Sequence, residues 1–424
     1  MGRARTWAVR ALIAVEEDGG YSNLVLDRLL RDAALSEEDA GLTTALFYGV
    51  LDRKRTLDWF LRPYLKRPDK KLSPTVRNAL RVGAYQLLYM DRIPPFAAIS
   101  ESVEVVKRSR DAYAAGMTNA VLRQLQRSGA PALPQGNTAQ ALSVRVSCEP
   151  WLAQRLIDDY GADRAEELLT AFLERPATFL RVNRTKIEPA ALIAALAEEG
   201  AAAEPVPDRP NALRLTRGSV ESTQAYRQGW FHVQDLSSQR CCDAVEARPG
   251  MAVLDLCAAP GGKTFTVAEN MGGKGPIVSR DLHESRVRLI REGAARLGLA
   301  NVCACQGDAT RFDESLGRFD RVLCDVPCSG IGVIRRKPEI KYKPAFDPRE
   351  LAEIQTTILE TASRYVAPGG RLIYSTCTML KAENGDITDA FLERHPDFAP
   401  VGEPVLQWPG QGSDGFYYAC MERT

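Results

Sequence analysis

Residues 253–264 read VLDLCAAPGGKT, a short apolar run carrying one acid, followed by small residues, two glycines and a Lys-Thr pair. The pattern predicts a strand, a tight turn and the start of a helix. The same alternation continues along the rest of the chain. MAVLDL, GPIVSRDL, NVCACQGD, FDRVLCDV and GRLIYSTC read as strands, with helical stretches such as ESRVRLIREGAARLGL and PRELAEIQTTILETASRYVAPGG between them. Strands alternating with helices predict a parallel sheet wrapped by helices, an α/β Rossmann-like domain over residues 246–424.

In such a sheet the turn after 253–256 lies at the carboxyl ends of the strands, where ligands bind. Gly261 and Gly262 carry no Cβ, so backbone can approach a ligand closely. Asp281 ends the next expected strand, 20 residues after Gly261, the usual place for a carboxylate that accepts from ribose hydroxyls. Asp308, in QGDAT, ends the third and is placed to address an adenine. Other readings compete. A dinucleotide loop needs G-x-G-x-x-G, and the third glycine is absent. A phosphate loop needs G-x-x-x-x-G-K-[ST], and Gly261-Gly262-Lys263-Thr264 supplies only its tail. A bare strand-to-helix turn without ligand is the plainest reading. Acids at successive strand ends favour a ligand with a ribose and a positive charge, and S-adenosylmethionine has both.

The fourth expected strand ends in Asp325-Val326-Pro327-Cys328-Ser329-Gly330, and the fifth in Ser375-Thr376-Cys377-Thr378. In the usual parallel order both thiols emerge at one edge of the sheet. Methyl transfer to a pyrimidine C5 requires such a set. A thiolate adds at C6 and makes C5 nucleophilic; the C5 proton and the thiolate then leave. A carboxylic acid at N3 stabilises charge during the addition, and Asp325 has the right chemistry. The plain reading of a strand-end cysteine is a small buried hydrophobe. Cys241, Cys242, Cys257, Cys303, Cys305, Cys324 and Cys420 are expected to be that. The run Arg335-Arg336-Lys337 is by default a solvated face, or a phosphate-binding run beside a thiol loop.

A chain of 424 residues has room for two or three domains. Its net charge of +1 hides an asymmetry: residues 1–134 hold 21 Lys and Arg against 15 Asp and Glu, and the remainder 34 against 39. A mildly basic amino-terminal third suits an RNA partner. There are ten cysteines but no C-x-x-C pair, and only three histidines, so no metal site is expected. No run approaches the length of a membrane span and the amino terminus lacks a signal-peptide core. The reading is a cytoplasmic protein with reduced thiols and no membrane partner.

Residues 3–128 carry apolar positions at three- and four-residue spacing, which predicts a helical bundle broken at Gly19-Gly20, around Lys66–Leu72 and at Ile93-Pro94-Pro95. Ser36 followed by Asp39 resembles a capping box. The order of segments, with RVGAYQLLYMDRIPPFAAISESVEVVK and then GMTNAVLRQL, resembles the NusB family and implies an RNA-binding helical domain over 1–130. A Gly-, Pro- and Ala-rich linker is expected over 131–141, then a small α+β, RRM-like RNA-binding domain over 142–245, with TFLRVN, ALRLT and GWFHVQ as strands. AALIAALAEEGAAAE reads as helix former throughout.

Taken together, the cofactor loop, the D-x-P-C-S-G stretch and the S-T-C-T strand end resemble the NOL1/NOP2/Sun family of RNA cytosine-5 methyltransferases. VQDLSSQ (233–239) and DGFYYACMER (414–423) are similar to further segments of that family, and GVIRRKPEIKY with the NusB-like start points to a bacterial branch. The resemblance implies S-adenosylmethionine as cofactor, 16S ribosomal RNA as substrate at cytosine 967, free or early in assembly, and a monomer. It implies Cys377 as the nucleophile at C6, Cys328 assisting proton removal or product release, and Asp325 contacting N3 and the cofactor. Cys257, Ala258, Ala259, Pro260, Gly261, Gly262, Lys263, Asp281 and Asp308 would line the cofactor pocket. DNA cytosine methyltransferases resemble the opposite choice of nucleophile, the Pro-Cys thiol. Val326 and Gly385 depart from the family pattern, the latter standing where an acid is expected after Glu383-Asn384. A tRNA or 23S rRNA substrate, or a non-enzymatic RNA-binding factor, remains the alternative.

Overall fold

The computed structural model describes residues 3–18, 20–410 and 412–424, which divide into two compact units. The first comprises residues 3–173 together with 334–345; the second holds 174–333 and 346–424. Residues 142–173, grouped with the middle segment by sequence, therefore belong to the first unit. Gly19, one half of an expected break, lies outside the described residues.

The first unit is helical. Pro95–Lys107 follows Pro74–Tyr89 across the Ile93-Pro94 break. Ser36 caps the helix Glu37–Asp52 by accepting from Asp39 N, the half of a capping box that a short acid leaves intact. Leu46, Phe47, Val50, Leu57, Leu80, Val106 and Leu122 form its core. One ion network is packed against that core: the buried Arg81 guanidinium donates to Glu16 at 2.6 Å and to both oxygens of Asp58. The segment 334–345 is bolted on by its own contacts, with Lys341 Nζ donating to Asp52 O at 2.7 Å and Tyr342 Oη meeting Ser147 Oγ at 2.8 Å. The basic run within it is not a solvated face. Arg335 is buried, and Lys337 lies over the Tyr21 ring.

The second unit carries two sheets. In the smaller, β1 (Thr178–Val182), β2 (Ala202–Val206), β3 (Arg209–Arg217) and β4 (Phe231–Val233) run antiparallel in the order β2-β3-β1-β4. The helix Pro189–Glu198 packs Leu192 and Leu196 on one face, against Leu180, Val182 and Leu213. β2 corrects the all-helical reading of the Ala-rich stretch. Gly200 at φ +82° ends the helix, and pairing with β3 overrides helix propensity in the alanines that follow.

The larger sheet comprises β5 (Val253–Asp255), β6 (Ile277–Asp281), β7 (Val302–Gln306), β8 (Phe319–Asp325), β9 (Val366–Thr376), β10 (Phe398–Pro400), β11 (Val405–Gln407) and β12 (Phe416–Arg423). Its order is β10-β12-β9-β8-β5-β6-β7, with β11 paired to β12; the five strands β5 to β9 are parallel and the rest antiparallel. Strand order reverses at β5, between β6 and β8, and a crevice opens at such a switch point. All five strands expected from the alternating pattern are present.

Candidate active site

The turn after β5 follows from its small residues. Gly261 takes φ +111°, and a Cβ there would stand 2.3 Å from the Phe265 ring. Its N–H donates to Ala258 O at 2.7 Å and its carbonyl accepts from Phe265 N, which starts the helix Gly262–Asn270. The VQDLSSQ segment braces this helix: Gln234 donates to Gly262 O at 3.0 Å and accepts from Thr266 Oγ1.

Carboxylates surround the turn. Asp281, at the end of β6, accepts from Ala259 N at 3.3 Å and pairs with Arg286, which in turn donates to Ala259 O. A carboxylate has about four acceptor directions, so capacity for a further donor is left. Asp308, after β7, accepts from the Thr310 hydroxyl and N–H, and these bonds hold its carboxyl below the usual range. Asp255, buried at the end of β5, accepts from Thr264 on one oxygen while the other has no hydrogen-bond partner. Burial pushes its pKa up to about 7, against the Thr264 bond, and the charge of Asp325 raises it further. A glycine-rich turn beside acids and an unsatisfied buried oxygen fits a ligand with ribose hydroxyls and a cationic centre.

Lys263 leads from this turn toward the thiols. Its Nζ donates to Asp325 Oδ2 at 2.6 Å, and Ser375 Oγ donates to Asp325 Oδ1 at 2.8 Å. Burial alone would lower the Lys263 pKa, but Asp325 outweighs it and the ammonium is held well charged. β8 and β9 are parallel neighbours with Asp325 opposite Ser375, so the loops after them leave the sheet side by side. Cys328 Sγ and Cys377 Sγ lie 3.3 Å apart. The hydrogen bond with Cys377, then burial, push the Cys328 thiol well above its ordinary value. Glycines let the second loop close: Gly332 N donates to Cys377 O at 2.9 Å, and a Cβ on Gly332 would meet Gly415 O at 2.1 Å.

Ser375, Asp255, Gln355 and Glu383 were not singled out as site residues by sequence. Ser375 sits inside the S-T-C-T motif and could have been. Gln355 lies mid-helix in Pro348–Ser363, with nothing local to mark it. Among the other cysteines, Cys241, Cys242 and Cys324 are buried as expected, with burial pushing each thiol up. Cys303 is exposed, because β7 is an edge strand. Among the described residues no cluster of His, Cys, Asp and Glu could hold a metal ion, and no helix is long and apolar enough to cross a membrane.

A second feature lies on the smaller sheet. A groove of about 1220 Å³ is lined by Arg175, Arg209, Arg214, Arg217 and Arg240, with Glu174, Glu204 and Asp208 among them. Arg209 is paired with Asp243, whereas Arg175 and Arg217 are exposed.

A parallel sheet with a glycine turn and strand-end acids at its switch point defines an S-adenosylmethionine-dependent methyltransferase domain, and comparisons with known proteins agree. A family model described as "16S rRNA methyltransferase RsmB/F" matches residues 243–422; one for the NusB family matches 2–127, and one for the ferredoxin-like domain of these methyltransferases matches 149–221. The "Probable ribosomal RNA small subunit methyltransferase B" of Bacillus subtilis (strain 168) is 40% identical, over 99% of this chain and 98% of its own length. The "Ribosomal RNA small subunit methyltransferase B" of Salmonella newport (strain SL254) is 36% identical over 98% of both. Among solved structures, the crystal structure of PH0851 has a TM-score of 0.83 at 25% identity, covering 100% of this chain and 99% of that one. That of NSun6 from Pyrococcus horikoshii with SFG shares the fold, with a TM-score of 0.59 at 20% identity over 64% of this chain and 97% of that one. The chain belongs to the 16S rRNA methyltransferase RsmB/F family, with a NusB domain, a ferredoxin-like domain and a methyltransferase domain in that order.

Proposed function

We propose that this chain methylates C5 of a cytosine in 16S ribosomal RNA, cytosine 967, through a covalent bond between Cys377 and C6. The observation that carries this reading is the 3.3 Å Sγ···Sγ contact between Cys328 and Cys377 beside Asp325. Two thiols and one carboxylate meeting at adjacent strand ends match the needs of pyrimidine C5 chemistry.

S-adenosylmethionine, when bound, supplies an electrophilic methyl group; residues 257–263 with Asp281, Asp308 and Asp325 would hold it. Cys377 adds to C6 and turns C5 into an enamine carbon. The thiol proton of Cys377 passes to N3, and Asp325, oriented by Ser375 and paired with Lys263, accepts from the N3–H so formed. The hydrogen bond between the two thiols, with burial, favours the protonated form of Cys328. Once Cys377 is bonded to carbon, that hydrogen bond and the thiolate charge are gone, so Cys328 can release its own proton to solvent and then, as a thiolate, take the C5 proton. Breaking the C6–S bond then frees the methylated base and restores Cys377.

The target base has to leave its stack to reach a thiol in a crevice, which favours a single-stranded loop. The NusB and ferredoxin-like domains would hold that RNA, free or early in assembly, and the enzyme would act as a cytoplasmic monomer. Bisulfite sequencing of rRNA and tRNA from a deletion strain tests the substrate: loss of one 16S rRNA site is expected, and loss from tRNA or 23S rRNA instead would redirect the assignment. Denaturing gels test the mechanism. Cys377→Ala should abolish methyl transfer, and Cys328→Ala should leave a protein–RNA adduct. An adduct in Cys377→Ala would reverse the roles.

A further inference from the structure

Two consecutive residues, six and seven positions after Cys377, each bracket one of the thiols. Glu383 is fully buried. Its Oε2 accepts from Ser329 N at 2.8 Å, immediately after Cys328, and from Gln355 Nε2 at 3.0 Å. The same Gln355 Nε2 donates to Pro327 O at 2.9 Å, immediately before Cys328. Asn384 accepts from Thr376 Oγ1 and donates to Thr378 O at 3.1 Å, the two neighbours of Cys377. The loops are also joined directly, Ser329 Oγ to Thr378 Oγ1 at 2.7 Å. Glu383 itself is fixed from behind, because Tyr374 Oη donates to its carbonyl at 2.7 Å.

A buried carboxylate is costly unless donors surround it. Packing alone would be met by an apolar side chain. Here the donors to Oε2 are a backbone N–H of the Cys328 loop and an amide that also grips that loop. We propose that Glu383 is the positioning residue that keeps Cys328 in register with Cys377, with Gln355 as its extension and Asn384 holding the opposite thiol. This rests on the covalent reading above. The bracket grips the residues on either side of each thiol rather than the thiols themselves. It sets the distance across which Cys328 must act once Cys377 is bonded to C6.

Loss of the bracket should therefore imitate loss of Cys328 rather than of Cys377. In Glu383→Ala, turnover of a 16S rRNA fragment with labelled S-adenosylmethionine should fall about 100-fold, the effect of misplacing a reacting group by about 1 Å. Covalent adduct should accumulate on denaturing gels as in Cys328→Ala. Glu383→Gln keeps an acceptor at the same place and should recover most of the turnover with little adduct, which a purely structural defect would not do. Should Glu383→Ala fail to bind cofactor in calorimetry, Gln355→Ala, which releases Pro327 but leaves Glu383 holding Ser329 N, should still trap adduct at a lower level. Adduct in Cys328→Ala but none in the Glu383 and Gln355 variants overturns the positioning role alone. No adduct in Cys328→Ala overturns the covalent reading and this inference with it.

Discussion

Lys263 Nζ and Asp325 Oδ2 lie 2.6 Å apart, joining the turn that follows β5 to the strand that delivers Cys328. The two side chains are largely but not fully enclosed, with exposures of 12% and 30%. Removing one partner strands the other charge.

Lys263→Met should cost about 3 kcal/mol of stability, the lower end for breaking such a pair. Adding Asp325→Asn should restore most of that loss, because a neutral amide needs no counter-charge. Activity should stay absent in the double variant, since Asp325 is the group expected at N3. Urea unfolding beside methyl transfer checks this. A double variant as unstable as Lys263→Met would show that the ammonium does more than balance Asp325.

Asp255 gives a pH signature. Its folded pKa of about 7 lies above the ordinary value of 3.8, so between these values the native state holds a proton that the unfolded chain has released. Stability contributed by this group is full below the unfolded pKa and is lost as pH rises through about 7. From about pH 5.5 to about pH 8 the loss should be on the order of 2 kcal/mol, at 1.36 kcal/mol per pH unit. Asp255→Asn, which resembles the protonated form, should flatten that slope. An equal slope in both proteins would place the titration elsewhere.

How far the sequence reaches is clearest at this edge of the sheet. Asp325, Cys328 and Cys377 are legible because each lies at or just past a strand end, and parallel strands deliver their ends to one edge. Glu383 and Gln355 are not, because their role comes from where a helix and a short turn happen to pack. Side-chain hydrogen bonds across 28 and 54 residues leave no periodic trace. β2 escaped for a related reason: alanine carries a helical preference, and only pairing with β3 decides otherwise. The segment 334–345 is the largest surprise. Its charges suggest a free basic face, whereas Ile340 and Lys341 are buried in the helical unit.

In that unit Glu16 titrates in the opposite sense to Asp255. Burial would raise its carboxyl, but Arg81, Asn78 and Arg77 outweigh this and bring it down to about 2, from 4.5. The depressed value means stability present above the unfolded pKa and lost as pH falls from about 4.5 to about 2. Glu16→Gln leaves Arg81 with the Asp58 carboxylate and the neutral Asn78 oxygen, and should destabilise the helical unit by about 3 kcal/mol at neutral pH. The deficit relative to wild type should shrink on acidification. Circular dichroism melts at pH 7 and pH 3 measure it, and a deficit that does not change with pH would exclude the ion pair as its source.

We propose that the arginine groove on the smaller sheet takes part in RNA capture rather than in chemistry. Arg240 is one turn beyond Ser237, whose hydroxyl donates to Asp414 O, and the next residue, Gly415, donates to Gly332 O beside the Cys377 carbonyl. Arg175 and Arg217 are exposed and available to phosphates. Each phosphate contact to a single strand contributes about 0.7 to the slope of log affinity against log salt. Arg175→Ala/Arg217→Ala should therefore lower that slope by about 1.4 and raise the KM for RNA, with cofactor affinity unchanged. Filter binding across a salt series reads the slope directly. An unchanged slope with a raised KM would mean that the two arginines shape the groove without touching the backbone of the RNA.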